Sequence, residues 1–358
     1  MTKIKPLLIY ALHSGNLYGT ERMALATVAG LRDDFDAAIL APPGPAIQEA
    51  ARLGCTALPF LNVFEFIKHL WLLMKQRRSV AFVATGVVHS LAFHLLNLIR
   101  RRTATHLHVV HGGADERLSY GRKRRLKFFG VRFAAVSDFV KNRLTAHGVP
   151  TDRITVIENF LSPERLATIP RRDRFTETGI KRAVVISRID PIKRVNLLLD
   201  ALALEPELNS LEIRICGTGW QLDELRDRAA ARHPNVHFIG FTENAPAEIA
   251  AADLLIHLCP EEPFGLAIIE AMAAGVPVLA PDSGGAGSLI VDGQSGFHFR
   301  ANDARELAEK LLALREASAT VLNRVVDGGD TSIRTRFSAH ERIADYRQLL
   351  SAKGRKDS

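Results

Sequence analysis

The feature that most constrains the fold of this chain is an end-to-end alternation of short apolar runs with amphipathic helical segments. In the first half, the apolar runs predicted as strands are KPLLIYAL, FDAAILAP, VAFVATGVVHS, HLHVVHG and RFAAVS. In the second half they are RAVVISRI, LEIRICG, NVHFIGF, DLLIHLC and VPVLAP. Apolar strands separated by helices are typical of parallel sheets covered on both faces. The chain is therefore predicted to be an α/β protein with two doubly wound, Rossmann-like domains.

The boundary between the domains is predicted near residues 160–175, where NFLSPERLATIPRRDRF interrupts the alternation with two prolines and dense charge. We place domain 1 at residues 1–165 and domain 2 at residues 166–338. The length of 358 residues leaves room for two proper cores. Because ligands of open α/β sheets lie beyond the carboxyl ends of the strands, the two domains are expected to face each other across one cleft.

The composition indicates a globular protein of ordinary hydrophobicity, with 47% hydrophobic and 24% charged residues. The three cysteines, Cys55, Cys216 and Cys259, are odd in number and widely spaced. They predict neither a disulfide framework nor a zinc site, so a cytoplasmic location is expected. The first apolar run is only long enough for a strand and lacks a small-residue cleavage site. No segment approaches the roughly 20 uncharged apolar residues of a membrane span.

Positive charge is concentrated in the first half of the chain. Residues 1–170 hold 23 Lys and Arg against 12 Asp and Glu, and the remaining residues hold 24 against 27. The basic clusters are Arg100, Arg101 and Arg102, then Arg122, Lys123, Arg124, Arg125 and Lys127. This asymmetry suggests contact with an anionic membrane surface, although a solvated helix face gives the same pattern. Nucleic acid is not favoured, because the basic runs are not interleaved with aromatic residues.

The most informative stretch is CPEEPFGLAIIEAMAAGVPVLAPDSGG, which holds Glu262 and Glu270. A helix beginning near Phe264 is predicted to be buried all round, because it is apolar on every side except at Glu270. A buried carboxylate needs a donor, which the two hydroxyls of a ribose could supply. Glu262 precedes the helix, whose first-turn amides could bind a phosphate. Alternatively, Glu262 only favours the helix N-terminus, and Glu270 pairs with a structural arginine.

A second cluster, VVISRIDPIKRVNLLLDAL, places Arg188 at the end of a predicted strand and Lys193 at the start of a helix. An arginine and a lysine at such a point can bind a diphosphate and stabilise its growing charge as it leaves. The alternative is a solvated basic pair that interacts with Asp190.

Glycine-containing loops and histidines at strand ends are weaker candidates. Gly217 and Gly219 follow one strand, and Gly15 and Gly19 follow another; each pair permits close backbone approach or forms a simple turn. His111 ends a predicted strand of the first domain and could contact the transferring sugar or help deprotonate an acceptor, unless it is structural. His89 and His13 are predicted to be packing or loop residues.

At these residues the chain resembles the family 4 retaining glycosyltransferases of the GT-B fold. Glu262 and Glu270 match the E-x7-E signature within E-x-F-G-L-x-x-x-E-A-M-A-x-G-x-P-V, and Arg188 and Lys193 match the R-x4-K pair. Weaker matches are GTER, VVHGG, AVSDFV and VIENF. The terminal FSAHERIADYRQLL resembles the last helix of that fold, which crosses back onto the first domain, here at about residues 339–353.

The resemblance implies a role for each matching position. Glu270 would hold the ribose and Glu262 a hydroxyl of the donor sugar, while Arg188 and Lys193 bind the diphosphate. The amides of Phe264, Gly265 and Leu266 would surround the sugar and phosphates. It also implies retention at the anomeric carbon, with a nucleotide-diphosphate sugar as donor and with no metal ion or other cofactor. The acceptor would be a glycan or a lipid-linked molecule in polysaccharide or lipopolysaccharide synthesis.

Two positions depart from the family pattern. The first loop usually has a Gly-Gly pair, where this chain has Tyr18 before Gly19, and the GG-x-x-E element has Ser288 in place of glutamate. A non-catalytic nucleotide-sugar-binding protein therefore stays an alternative. Another is a different GT-B enzyme, such as a nucleotide-sugar epimerase, although that class should lack the complete E-x7-E and R-x4-K set.

Overall fold

The computed structural model describes residues 5–76, 79–100, 104–113 and 115–351. These residues form two compact units, one of residues 5–160 with 339–351 and the other of residues 161–338. The division after Phe160 lies slightly before the boundary placed after residue 165. No described helix is both long enough and apolar enough to cross a bilayer.

The described part of the first unit contains a seven-stranded parallel sheet of order β3-β2-β1-β4-β5-β6-β7. Its strands are β1 Leu7–Ala11, β2 Asp36–Ala41, β3 Thr56–Pro59, β4 Val80–Ala84, β5 Thr105–Val110, β6 Arg132–Ala135 and β7 Ile154–Val156. The five predicted strands are confirmed. The two outer strands, β3 and β7, were not predicted, because β3 is only half-buried and β7 has three residues.

Helices flank this sheet. They are α1 Gly19–Gly30, α2 Pro45–Arg52, α3 Val63–Gln76, α4 Val87–Ile99, α5 Glu116–Ser119, α6 Asp138–Ala146 and, from the end of the chain, α15 Ala339–Ser351. The strand predicted over VAFVATGVVHS was wrong in its second half. The strand β4 ends at Ala84, and α4 begins after Gly86, because the apolar residues that follow recur with helical spacing. His89 consequently lies on α4.

The second unit contains a parallel sheet of order β10-β9-β8-β11-β12-β13. Its strands are β8 Arg182–Ile186, β9 Glu212–Cys216, β10 Val236–Gly240, β11 Leu254–Ile256, β12 Val278–Pro281 and β13 Phe297–Phe299. Its helices are α7 Pro163–Thr168, α8 Val195–Leu204, α9 Leu222–Arg232, α10 Ala245–Ala250, α11 Leu266–Ala273, α12 Gly284–Ser288, α13 Ala304–Arg315 and α14 Ala319–Arg334. Both units are Rossmann-like, as predicted.

Strand order reverses once in each sheet, between β1 and β4 in the first and between β8 and β11 in the second. Chain connections run in opposite directions from such a point, which opens a crevice at the carboxyl ends of the strands. The central strands that flank it are apolar and buried, with the side chains of Leu8, Ile9 and Val184 fully inaccessible. Each reversal therefore marks where a ligand site is expected.

The last helix, α15, packs within the first unit against α1 and β5. Arg347 Nε lies 2.8 Å from Asp34 Oδ2, and Arg132 donates to the backbone carbonyl of Leu349. The buried ring of Tyr346 contributes apolar contact. The final segment thus belongs to the first unit although it follows the second in sequence.

Candidate functional site

The strand reversal of the second unit brings together residues that the sequence holds far apart. Arg188 and Lys193 follow β8, and Glu262 follows β11. These strands are direct neighbours, with Leu254 opposite Ala183. Parallel strands end at the same edge of a sheet, so both loops emerge side by side. Three of the predicted donor-binding residues therefore lie at one carboxyl edge.

Lys193 and Glu262 form an ion pair at this edge. Lys193 Nζ lies 2.5 Å from Glu262 Oε2, and each side chain is only 16% exposed. His257 Nε2 is 3.7 Å from the same oxygen, and Cys259 hydrogen-bonds the carboxylate. A buried pair of this kind holds charge in place only while both partners are present.

The pair is ionised at neutral pH. Burial raises the pKa of Glu262, but attraction to Lys193 and hydrogen bonds from Lys193 and Cys259 lower it more, so it lies below its ordinary value. Burial lowers the pKa of Lys193, yet attraction to Glu262 and the hydrogen bond with it raise it above its ordinary value. Burial beside Lys193 lowers the pKa of His257 to about 4, so this imidazole is neutral. The site therefore holds one fixed cation and one fixed anion.

Arg188 differs from Lys193 in being open to solvent. Its side chain is 68% exposed, and Nη1 lies 2.7 Å from Asp190 Oδ2. Asp190 also accepts a hydrogen bond from the backbone N–H of Trp220. Arg188 therefore interacts with Asp190, as the alternative of a solvated basic pair predicts. Lys193 does not, because it pairs with Glu262. Arg188 keeps most of its guanidinium available to an anion.

The helix that carries Glu270 corrects the sequence prediction. It begins at Leu266, and Gly265 precedes it with a left-handed φ of 102°. It is not buried all round: Ile268, Ile269 and Met272 are buried, but Leu266, Glu270 and Ala273 lie on a half-exposed side. Its buried residues face its neighbours α10, β12 and α14. Glu270 can therefore meet a ligand from that side.

Glu270 pairs with an arginine that the sequence analysis did not identify. Arg165 Nη2 and Nε lie 2.6 and 3.0 Å from Glu270 Oε1. Arg165 lies on the short helix α7, whose start is capped by the Ser162 hydroxyl. No described residue donates to the second oxygen, Oε2. Glu270 therefore has the structural arginine that is the alternative to a ribose contact, while its Oε2 has no donor in the described part of the chain.

The start of the Glu270 helix offers free amides. Among the described residues, no acceptor binds the backbone N–H groups of Phe264, Gly265 or Leu266. Free amides and the positive end of the helix dipole form an anion site. The loop from β12 supports this turn, since Gly285 N–H donates to Glu262 O at 2.6 Å. A side chain on Gly285 would lie 2.0 Å from the Pro263 carbonyl, so only glycine fits.

Gly217 and Gly219 allow close approach of protein to protein. A Cβ at Gly217 would lie 1.8 Å from the Ser187 carbonyl, and one at Gly219 would lie 2.4 Å from the Ile189 carbonyl. Ile189 also exchanges backbone hydrogen bonds with this loop at 2.9 and 3.0 Å. The two glycines therefore brace the loop that carries Arg188. Their direct contact with a donor stays a prediction.

His111 lies just beyond β5 in the first unit. Its Nε2 atom is buried without a partner among the described residues, and burial lowers the pKa of its ring to about 3. His13 bonds Thr85 Oγ1 through Nδ1 at 2.8 Å. His89 packs against Phe60 and Phe66, in agreement with its predicted packing role. His111 is thus a neutral histidine with an unpaired buried Nε2, a property that it shares with His106 and His108 in the described part of the first unit.

The two departures from the family pattern lie in different units, with Tyr18 in the loop after β1 and Ser288 at the end of α12. Tyr18 is 66% exposed, and its N–H donates to the buried Glu21 at the start of α1, which begins at Gly19. Gly15 packs on the next loop, because a Cβ there would lie 2.4 Å from the Pro42 carbonyl. Ser288 is exposed, and its hydroxyl donates to the Gly285 carbonyl. The Ser288 side chain therefore bonds within its own helix, α12.

The second basic cluster divides into exposed and buried residues. Arg122, Arg124 and Arg125 are exposed on the 3-10 helix Gly121–Phe129. Lys123 is buried, and its ammonium donates to the carbonyls of Leu118 and Ser119. It therefore does not belong to the basic surface. In the first cluster, Arg101 and Arg102 lie outside the described residues.

Sequence reasoning missed Arg165, His257 and Cys259 as neighbours of the two carboxylates. The sequence indicated them only indirectly, because a half-buried Glu270 and a buried Glu262 each need a hydrogen-bond or charge partner. Among the described residues, no group of three or more His, Cys, Asp or Glu side chains could hold a metal ion.

Two family models match the chain: "Glycosyltransferase Family 4" over residues 18–165 and "Glycosyl transferases group 1" over residues 171–323. Among curated relatives, a phosphatidyl-myo-inositol mannosyltransferase of Mycobacterium leprae is 29% identical over 56% of this chain and 54% of its own length. A lipopolysaccharide core biosynthesis glycosyltransferase, LpsE of Rhizobium meliloti, is 27% identical over 56% and 58%. The match spans about half the length of these relatives.

Solved structures share the fold over nearly the whole chain. HepE of Anabaena, crystallised with UDP, has a TM-score of 0.78 at 20% identity and covers 96% of this chain and 99% of its own. A glycosyltransferase of Rickettsia africae has a TM-score of 0.76 at 18% identity, covering 97% and 99%. With both family models matched in order and this fold in common, the chain belongs to the family 4 glycosyltransferases of the GT-B fold.

Proposed function

We propose that this chain is a retaining glycosyltransferase that moves a sugar from a nucleotide-diphosphate sugar to a glycan or lipid-linked acceptor. The observation that carries the proposal is the buried Lys193–Glu262 pair beside the exposed Arg188 at the strand reversal of the second unit. A leaving diphosphate needs fixed positive charge that is already in place, because charge grows on it during bond cleavage.

Each group has a role in this proposal. Arg188 and Lys193 bind the diphosphate together with the free amides of Phe264, Gly265 and Leu266. Glu270 accepts from the ribose through Oε2 while Arg165 fixes Oε1. These cations and amides replace a metal ion, so transfer is expected to persist in a metal chelator.

Glu262 is proposed to bind a donor-sugar hydroxyl, and the neutral His111 the transferring sugar or the acceptor. Gly217, Gly219 and Gly19 are proposed to lie beside the donor.

The names of similar proteins support the donor and the acceptor class. HepE of Anabaena has been crystallised with UDP and with UDP-glucose. Relatives are named as a phosphatidyl-myo-inositol mannosyltransferase and a lipopolysaccharide core glycosyltransferase. An acceptor in polysaccharide or lipopolysaccharide synthesis, reached from the cytoplasmic side of a membrane, fits both names and the basic first unit.

A thermal-shift screen of UDP, GDP and ADP, each with and without its sugar, tests the donor site. Ligand bound at a hundred times its Kd stabilises a protein by about 2.7 kcal/mol. One nucleotide should therefore raise the Tm clearly above the others. No shift with any of them would contradict the proposal.

A second candidate, a nucleotide-sugar-binding protein without transferase activity, is favoured by one observation. At the position where the family pattern has a glutamate, the Ser288 hydroxyl donates a hydrogen bond to the Gly285 carbonyl. Release of nucleoside diphosphate from the donor in the presence of acceptor separates the two. A protein that binds the donor but never turns it over would be the second candidate.

A further inference from the structure

Three neighbouring elements of the first unit expose large apolar side chains that the fold leaves uncovered. The most exposed are Phe64 on α3, at 79%, and Phe128 on the 3-10 helix Gly121–Phe129, at 75%. We call this surface the apolar–basic face. Its exposed residues are Phe64, Lys68, Trp71, Leu72 and Lys75 on α3; Val88, Leu95, Leu98 and Ile99 on α4; and Arg122, Arg124, Arg125 and Phe128, with the half-buried Arg100 at the end of α4.

The face is continuous. Helix α3 packs beside α4, and α4 packs beside the 3-10 helix. The Arg100 guanidinium lies 4.6 Å from the centroid of the Trp71 ring, which joins the end of α4 to the middle of α3. The His94 and Phe129 rings lie 4.6 Å apart and join α4 to the 3-10 helix. The exposed side chains thus belong to one surface.

Helix α3 has two apolar sides, and only one is needed by the core. Phe66, Leu70 and Met74 are fully buried against the sheet. Phe64, Trp71 and Leu72 recur at helical spacing on another side and are exposed. Contiguous exposed apolar surface of this kind marks an interaction site.

The charges of the face identify its occupant. Lysines and arginines border the apolar side chains, and the acidic residue on these elements, Glu65, accepts a hydrogen bond from the N–H of Leu61 at 2.7 Å. A second copy of the chain would bring like charges together across a twofold contact. An anionic lipid surface offers both complementary headgroups and an apolar layer, and Lys and Arg side chains can extend from one to the other.

We propose that the apolar–basic face seats the chain on an anionic membrane, with Phe64, Trp71, Leu95 and Leu98 entering the acyl boundary. The basic residues bind headgroups around them. This goes beyond electrostatic attraction, because part of the binding is hydrophobic and should survive high salt. It rests on the proposed function only in that a lipid-linked acceptor gives membrane binding a purpose.

The test uses Trp71 as an internal probe in the full-length Trp220→Phe variant, which leaves it as the single tryptophan. The probes are vesicles of phosphatidylcholine with and without phosphatidylglycerol, and no sugar donor is present. Anionic vesicles should shift Trp71 emission to shorter wavelength and bind the protein, with part of the binding retained in high salt. In the same background, Phe64→Ser with Leu98→Ser should weaken binding about tenfold or more.

Two further variants separate charge from apolar contact. Arg124→Ser with Arg125→Ser should weaken binding about fivefold per residue and reduce its salt dependence. Phe241→Ser with Val291→Ser removes exposed apolar side chains of the second unit and should leave binding unchanged.

Unchanged Trp71 emission, or wild-type vesicle binding by the Phe64→Ser and Leu98→Ser variant, would overturn the inference. So would a wild-type dimer that this variant converts to a monomer, because the face would then be covered by a second copy. Nucleotide thermal shifts measured on the same variants should match wild type. Their failure in the wild type would contradict the donor site and would leave the vesicle result standing.

Discussion

The two units of this chain differ in their main buried polar groups, although the second unit also holds the neutral His257 and the first the buried Lys123. In the first unit, the buried histidines at positions 89, 106, 108 and 111 are kept neutral, because burial lowers the pKa of each. In the second unit, carboxylates and cations are paired, with Lys193 on Glu262 and Arg165 on Glu270. Neutral groups suit a hydrogen bond with a sugar or an acceptor, whereas fixed charges suit a diphosphate. The difference matches the division of labour that we propose.

Lowering the pH should produce the largest difference in stability between the two units. Above pH 6.5, folded and unfolded histidines are both neutral. Below it, the unfolded state binds protons that the buried His106 and His111, with a pKa of about 3, do not. Each such residue then lowers stability by up to about 1.4 kcal/mol per pH unit, down to its folded pKa. Between pH 7 and 5 the first unit should therefore lose several kcal/mol.

Hydrogen exchange at both pH values, corrected for intrinsic rates, measures this by unit. Protection should fall more in β5 than in β8. His106→Leu, which removes one titrating ring, should retain more protection in β5 at pH 5 than wild type. An equal loss in both sheets would contradict the difference between the units.

Removing one charge from the second unit should have the next largest effect. Lys193→Met leaves Glu262 as a buried, unpaired carboxylate, and should lower the free energy of unfolding by about 3–5 kcal/mol. Arg226→Met breaks an exposed pair with Asp223 and should change it by less than about 1 kcal/mol. Urea unfolding compares the two variants. Equal, small effects would show that the site pair is no more than a surface ion pair.

The Glu270–Arg165 pair is expected to affect ligand affinity more than stability. Glu270→Gln weakens the charge-assisted acceptor for ribose and should lower nucleotide affinity about tenfold or more. Arg165→Met should lower it less, because it removes only the group that orients the carboxylate. Titration calorimetry gives both values, and an equal or larger loss for Arg165→Met would make Arg165 the direct ligand.

The smallest expected effect is that of His111 on the pH dependence of kcat/KM. With its pKa at about 3, the ring is neutral from pH 5 to 7. It should therefore contribute no inflection to kcat/KM in that range, although His111→Asn should lower the rate. A wild-type inflection near pH 6.5 that is absent from His111→Asn would show that the ring titrates at its ordinary value.

Much of the fold could be predicted from the sequence, because buried parallel strands are apolar throughout. The strands that were missed, β3, β7 and β13, lie at sheet edges, where burial imposes no such pattern. Placing Arg188 at a strand end, Lys193 at a helix start and Glu262 before a helix also required only local reasoning. Partners could not be predicted, since Lys193 and Glu262 are 69 residues apart, and Arg165 and Glu270 are 105 apart. Only the folded sheet brings them together.

The apolar–basic face and the burial of Lys123 also could not be predicted from the sequence. Helical periodicity predicted neither the second apolar side of α3 nor the burial of one lysine within a basic run. Both depend on which neighbours a helix meets. The basic residues were visible in the sequence, but the apolar side chains beside them became recognisable as a surface only through their exposure.

The central claim is that the charged groups at the strand reversal of the second unit bind a nucleotide-diphosphate sugar and promote its transfer. The most direct measurement is donor binding, with turnover on acceptor, for wild type, Arg188→Ala and Glu270→Ala, each checked for folding by its urea transition. The account predicts that both variants stay folded, bind the nucleotide more weakly and lose sugar transfer. Wild-type binding and transfer by both variants would contradict it.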